Sequence, residues 1–151
     1  MKESMKMTNM SKKLSLVLLM SLFLFGSAFA ADNSAHKKLV IQVSTDDPRT
    51  QKIALNNAVN IQKLYGIDNV TVEIVAYGPG IGLLTKKNAQ ADRVASLAMQ
   101  DITFSACMNT MKKIEKKKGK MPALTDGVQT VTAGVARIME LQEDGYSYIR
   151  P

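Results

Sequence analysis

The spacing of apolar and polar positions divides the chain into alternating strands and helices. Lys38-Leu39-Val40-Ile41-Gln42-Val43 is short, apolar and β-branched, which predicts a buried strand. Asp47 then offers a helix cap and Pro48 suits the first helical position. The helix they open runs to about Tyr65, with Ile53, Ala54, Val59, Ile61 and Leu64 on its apolar face and Gly66 as its stop. Val70–Ala76 predicts a second strand, followed by the turn Gly78-Pro79-Gly80-Ile81-Gly82 and the apolar step Leu83-Leu84. A helix over 88–100 turns Val94, Leu97 and Ala98 inward.

Ile102–Ala106 is a third strand ending at Cys107. Asn109 or Thr110 can cap the next helix, which carries Met111 and Ile114 and is ended by Gly119 and Pro122. Val128–Val131 is a fourth strand, and Gly134–Asp144 a helix with Val135, Ile138, Met139 and Leu141 inward. Tyr146–Ile149 reads as a short terminal strand or an extended tail. Strands and helices in regular alternation predict the α/β class: βαβ units, a mostly parallel sheet of about five strands, and helices on both faces.

The N-terminus follows a different pattern. Lys12 and Lys13 precede the apolar run Leu14–Phe25, and Ala28-Phe29-Ala30 follows it. A basic stretch, an apolar stretch and an Ala-x-Ala site read as a signal peptide over residues 1–30, cleaved after Ala30. The run is about a dozen residues, short of the roughly 20 that span a bilayer, so stable membrane insertion is not expected after cleavage. The expected location is outside the cytoplasm, in the periplasm if the host has two membranes. Residues 31–37 then form a short tail and 38–151 a single domain.

Charge changes the picture little. The 151-residue chain carries +7, and the leader accounts for Lys2, Lys6, Lys12 and Lys13 against Glu3, which leaves +4. That mild excess does not call for nucleic acid. Lys112, Lys113, Lys116, Lys117, Lys118 and Lys120 cluster at one helix end. They read as a solvated face that favours the helix C-terminus, or as a patch for an anionic surface. No aromatic residues interleave with them, which argues against stacking on single-stranded nucleic acid.

Cys107 is the single cysteine of the chain. An intramolecular disulfide and a Cys-x-x-Cys redox pair are thereby excluded. In an open parallel sheet, ligands gather outside the carboxyl ends of the strands, and Cys107 ends one just before a helix. Unpaired N–H groups there favour a thiolate open to reaction; the alternative is a small buried hydrophobe. The Gly78–Gly82 turn lies at the same edge, with Tyr77 before it. Its spacing fits neither a dinucleotide fingerprint nor a P-loop, so it is either a tight turn or the rim of a pocket. Asn56, Asp46 and Asp47 are also placed near that edge, with Asp47 accounted for as a cap. His36, the only histidine, falls in the tail, and no metal site or other cofactor is expected.

These residues resemble the DsrE/DsrF-like family, in particular its small stand-alone members. The resemblance covers nearly all of 38–151. It rests on Val40-Ile41-Gln42-Val43-Ser44 with Asp47-Pro48, on Ala54-Leu55-Asn56-Asn57, on Val75-Ala76-Tyr77-Gly78-Pro79-Gly80, on Phe104-Ser105-Ala106-Cys107-Met108-Asn109-Thr110, and on the ending Gly145-Tyr146-Ser147-Tyr148-Ile149-Arg150-Pro151. It implies a three-layer α/β/α sandwich and a homo-oligomer, a trimer or a hexamer. In the sulfur-relay members a cysteine at the place of Cys107 carries a persulfide between partner proteins, and relatives often have His where this chain has Tyr77.

Two functions follow as expectations. One is a thiol or sulfane-sulfur carrier, not an enzyme that turns over: Cys107 holds the sulfur, Asn109 and Thr110 orient or cap it, and Gly78, Gly80 and Gly82 shape the pocket, with a sulfur donor or acceptor protein as partner. The other is a non-catalytic oligomeric module that binds a small molecule or anion in pockets between subunits, lined by Tyr77, Tyr146 and Tyr148, with Cys107 as packing.

Overall fold

The computed structural model describes residues 36–151. The leader reading, and residues 31–35 of the tail, lie outside the described residues. Five strands form one sheet: β1 (Lys37–Val43), β2 (Val70–Ala76), β3 (Ile102–Cys107), β4 (Val128–Val131) and β5 (Ser147–Ile149). Their spatial order is β4-β3-β2-β1-β5 and every pairing is parallel. Four α-helices connect them among the described residues: α1 (Pro48–Tyr65), α2 (Ala91–Ala98), α3 (Met108–Lys118) and α4 (Gly134–Glu143). The Gly78–Leu84 segment is a 3-10 helix.

The connection rule accounts for the layering. The steps β1→β2→β3→β4 all move in one direction, so right-handed crossovers put α1, α2 and α3 on one face. The last step, β4→β5, returns across the whole sheet, so α4 goes to the other face. The two cores follow suit. The larger contains Leu39, Ile41, Ile74 and Phe104 with Ala54, Leu55, Val94, Leu97 and Met111. The smaller contains Val40 and Val75 with Ile138 and Leu141 of α4, and Tyr77 and Tyr146 pack against it. The molecule is an α/β/α sandwich with three helices on one side and one on the other.

Local signals act as the sequence indicates. Asp47 accepts hydrogen bonds from the Thr50 amide (2.7 Å) and hydroxyl (2.6 Å), capping α1. Gly66 donates to Gln62 O at φ 85°, a left-handed-side geometry open to glycine. Four residues expected to face inward do not. Ile53, Leu64, Val135 and Met139 are exposed. α1 lies on the sheet through the narrow stripe Gln51, Ala54, Leu55 and Ala58, which turns Ile53 aside and leaves Leu64 in the last turn uncovered. α4 buries only Gly134, Ile138 and Leu141, because no second helix shares its layer. The helix expected over 88–100 is shorter, Ala91–Ala98, since turns occupy 86–90.

Candidate functional site

Cys107 and Val131 are register partners at the carboxyl ends of β3 and β4. The chain leaves these neighbouring strands toward opposite faces, α3 to one and α4 to the other. An open parallel sheet forms its crevice where connections diverge in this way. Cys107 therefore stands at the switch point, and both helices begin beside it.

Cys107 is itself the N-cap residue of α3, with φ −70° and ψ 114°. Asn109 and Thr110, expected as alternative caps, instead occupy the first turn, because the helix starts one residue after the strand ends. The donors around the sulfur come from both helix starts. Burial pushes the thiol up. The Gly134 N–H, the Thr110 N–H and hydroxyl, and the Asn109 N–H outweigh it and hold the thiol below its ordinary value. Gly134 opens α4, so the partial positive ends of two helices favour the same anion.

The neighbourhood is tied together. The Gly78 N–H donates to Thr110 Oγ1 at 3.0 Å, leaving that hydroxyl's own proton for the sulfur. The Asn109 N–H donates to Thr132 O at 3.3 Å, joining α3 to the loop before α4. The Tyr77 ring lies against Gly134, where a Cβ would come within 2.9 Å of Cδ1. Asn109, Thr110 and Gly134 thus face Cys107, with Gly78 tied to Thr110 and Tyr77 packed on Gly134.

Three expectations need correction. The thiol is not open to solvent: Cys107 is 5% exposed, because its side chain turns to the α4 face and the start of α4 closes over it. Asn56 is not at the site. It sits in mid-α1, where its Oδ1 accepts from Arg93 Nη2 at 2.8 Å and ties α1 to α2. Gly80 and Gly82 do not shape a pocket around Cys107. Gly80 is needed because a Cβ would run into the Val43 carbonyl, whereas Gly82 lines a separate groove and has open space where a Cβ would stand. His36 bonds Thr71 Oγ1 at 2.7 Å beside the start of β1, the opposite sheet edge from Cys107. No group of three or more His, Cys, Asp or Glu is placed to hold a metal among the described residues.

Sequence reasoning missed a buried polar network on the α4 face. Arg137 of α4 donates to both oxygens of Glu73 on β2, at 2.9 and 2.8 Å. Ser105 on β3 donates to Glu73 Oε1 at 2.6 Å, and Gln129 on β4 donates to Ser105 at 3.0 Å. The Glu73 hydrogen bonds raise the Arg137 guanidinium above its ordinary value. A glutamate in the middle of the apolar run Val70–Ala76 was the available signal. This network holds α4 down one turn beyond Gly134, and so fixes the N–H group that faces the sulfur.

Two concavities flank the site. A cleft of about 440 Å³ lies over β4, lined by Gln129, Val131, Thr132, Ala136, Arg137 and Glu140 among others. A larger groove, about 730 Å³, runs between the Gly78–Leu84 segment and α3.

The chain is similar to a solved structure, the protein of unknown function MTH1491 from Methanobacterium thermoautotrophicum. The TM-score is 0.69 at 29% sequence identity, over 76% of this chain and 99% of that one. No family model matches the chain. No curated protein matches it at a significant level. The likeness supports the parallel α/β arrangement.

Proposed function

We propose that the protein carries sulfane sulfur on Cys107. The observation behind this reading is the convergence of the α3 and α4 starts on one sulfur, which lowers the thiol pKa despite burial. The resemblance to DsrE/DsrF-like proteins supports the same role. In the transfer, the Cys107 thiolate attacks a terminal sulfur of a polysulfide. A bond forms between Sγ and that sulfur, the adjacent sulfur–sulfur bond breaks, and the shortened polysulfide leaves with the electron pair. The product is a persulfide anion, again facing the N–H groups of Gly134, Thr110 and Asn109. An acceptor thiolate removes the outer sulfur by the same exchange in reverse. Burial at 5% favours a small inorganic donor over a bulky disulfide.

The leader-like residues 1–30 support a place of action outside the cytoplasm, the periplasm where the host has two membranes. The exposed Val135 and Met139, one turn apart on α4, support a homo-oligomer.

Intact mass spectrometry tests the role. Polysulfide added to the reduced protein is expected to add about 32 Da, the mass of one sulfur atom, at Cys107. Cys107→Ser is expected to abolish the addition. An unmodified mass in the unsubstituted protein would overturn the reading. A second reading, binding of a small molecule or anion, is favoured by the groove beside Thr110, and is compatible with the first because Cys107 does not line that groove.

A further inference from the structure

The groove between Gly78–Leu84 and α3 has a consistent chemistry. Residues Thr110, Lys113, Ile114 and Lys117 fall at i, i+3, i+4 and i+7, and all four line it. They present one hydroxyl, two cations and one aliphatic side chain along one helix face. The opposite wall supplies Pro79 and Ile81, and the far end Met121 and Pro122. Lys87, Lys118 and Lys120 complete the rim. The lining holds five lysines and no carboxylate, so its field favours an anion. It also holds no aromatic side chain, so nothing in it stacks on a nucleobase or flavin ring.

The far wall is fixed. Thr85 and Leu124 form an antiparallel bridge. The Lys86 N–H donates to Ala123 O at 3.0 Å and the Thr125 N–H to Leu84 O at 2.9 Å. At about 730 Å³ the groove falls within the ordinary range for small-molecule sites, roughly 300–1,000 Å³. Met121, unbranched and partly exposed at the rim, can adapt to a flexible chain.

We infer that this groove binds a free fatty-acid-type carboxylate, its alkyl chain on Ile81, Ile114 and Met121 and its carboxylate between Lys113 and Lys117. A concave apolar floor under a cationic rim fits a single amphiphilic anion. It fits a flat bilayer surface poorly, because Ile81, at 3% exposure, lies too deep to reach one. The inference does not depend on sulfur carriage.

Calorimetric titration of the full chain with laurate, below its micelle concentration, tests it. Saturable binding at one site per chain is expected. Butyrate, which lacks the tail, and dodecyl maltoside, which lacks the charge, should each bind at least about tenfold more weakly. Lys113→Glu with Lys117→Glu should lose about tenfold in laurate affinity while the thermal melt is kept. Met121→Asp, at an exposed rim position, should weaken laurate without changing the melt. Cys107→Ser should bind laurate as before, which separates this result from the fate of the sulfur proposal. Absence of saturable laurate binding up to about 1 mM would overturn the inference. So would equal binding of dodecyl maltoside, indifference to the double charge reversal, or association with anionic vesicles in the absence of laurate binding.

Discussion

Arg137 closes two hydrogen bonds, 2.9 and 2.8 Å long, on the carboxylate of Glu73. The Glu73 side chain is 3% exposed and that of Arg137 30%, so the pair is desolvated mainly on the acidic side. Removing the arginine leaves a buried carboxylate with only the Ser105 hydroxyl. Arg137→Met is expected to destabilise the fold by about 3 kcal/mol, read as a shift of the urea midpoint. It should also raise the Cys107 thiol pKa, because α4 loses the tie that presents the Gly134 N–H. A destabilised variant with an unchanged thiol titration would show that the network holds α4 without tuning the sulfur.

The thiol titration has a definite sign. The folded-state pKa of Cys107 lies below that of the unfolded chain. Its contribution to stability is therefore complete above the unfolded value and is lost as pH falls through the folded one. Thiolate absorbance should titrate below the ordinary thiol range, and Thr110→Val, which removes one donor, should move the titration upward. Cys107→Ser should remove this part of the pH dependence of stability. A titration at or above the ordinary thiol value would contradict the two-helix arrangement as an activating device.

Gly80 makes a separate, structural prediction. A Cβ there would collide with the Val43 carbonyl, which is backbone and cannot swing away. Gly80→Ala is expected to cost about 3 kcal/mol, measured by chemical unfolding. Gly82→Ala, with open space around the added carbon, should change stability by less than about 0.5 kcal/mol.

The exposed stripe on α4 bears on assembly. Val135 is 54% exposed and Met139 58%. Met139→Lys is expected to leave each subunit's stability within about 0.5 kcal/mol while lowering the oligomer mass in light scattering. A chain that is monomeric before substitution would remove the oligomer from the proposal.

The sheet was legible because parallel strands, covered on both sides, read as mostly apolar runs such as Leu39-Val40-Ile41 in β1. The place of Cys107 was legible for the same reason: the apolar run Ile102–Ala106 stops at it. Its burial was not, because the closing element, Gly134, lies 27 residues away in sequence and reaches the sulfur only through the return of β4 to β5. The Glu73–Arg137 pair was hidden by a separation of 64 residues. Alternation along a strand tells which face a side chain takes, and nothing about which helix will answer it. Val135 and Met139 were misassigned by a related failure. Helical periodicity identifies an apolar stripe but does not say whether the covering surface belongs to the same chain.

The neighbour relation between the first and last strands carries a consequence for folding. β1 lies between β2 and β5, and its outer side is closed only by Ser147, Tyr148 and Ile149. Until those three residues arrive, Leu39–Ile41 present bare main-chain donors and acceptors, a template for any other extended segment nearby. A growing or clipped chain lacking its final residues would thus hold an assembled four-strand sheet with one sticky border. With Ser147–Ile149 in place, the border of the sheet is instead the three-residue strand β5, and so short an edge is a poorer template.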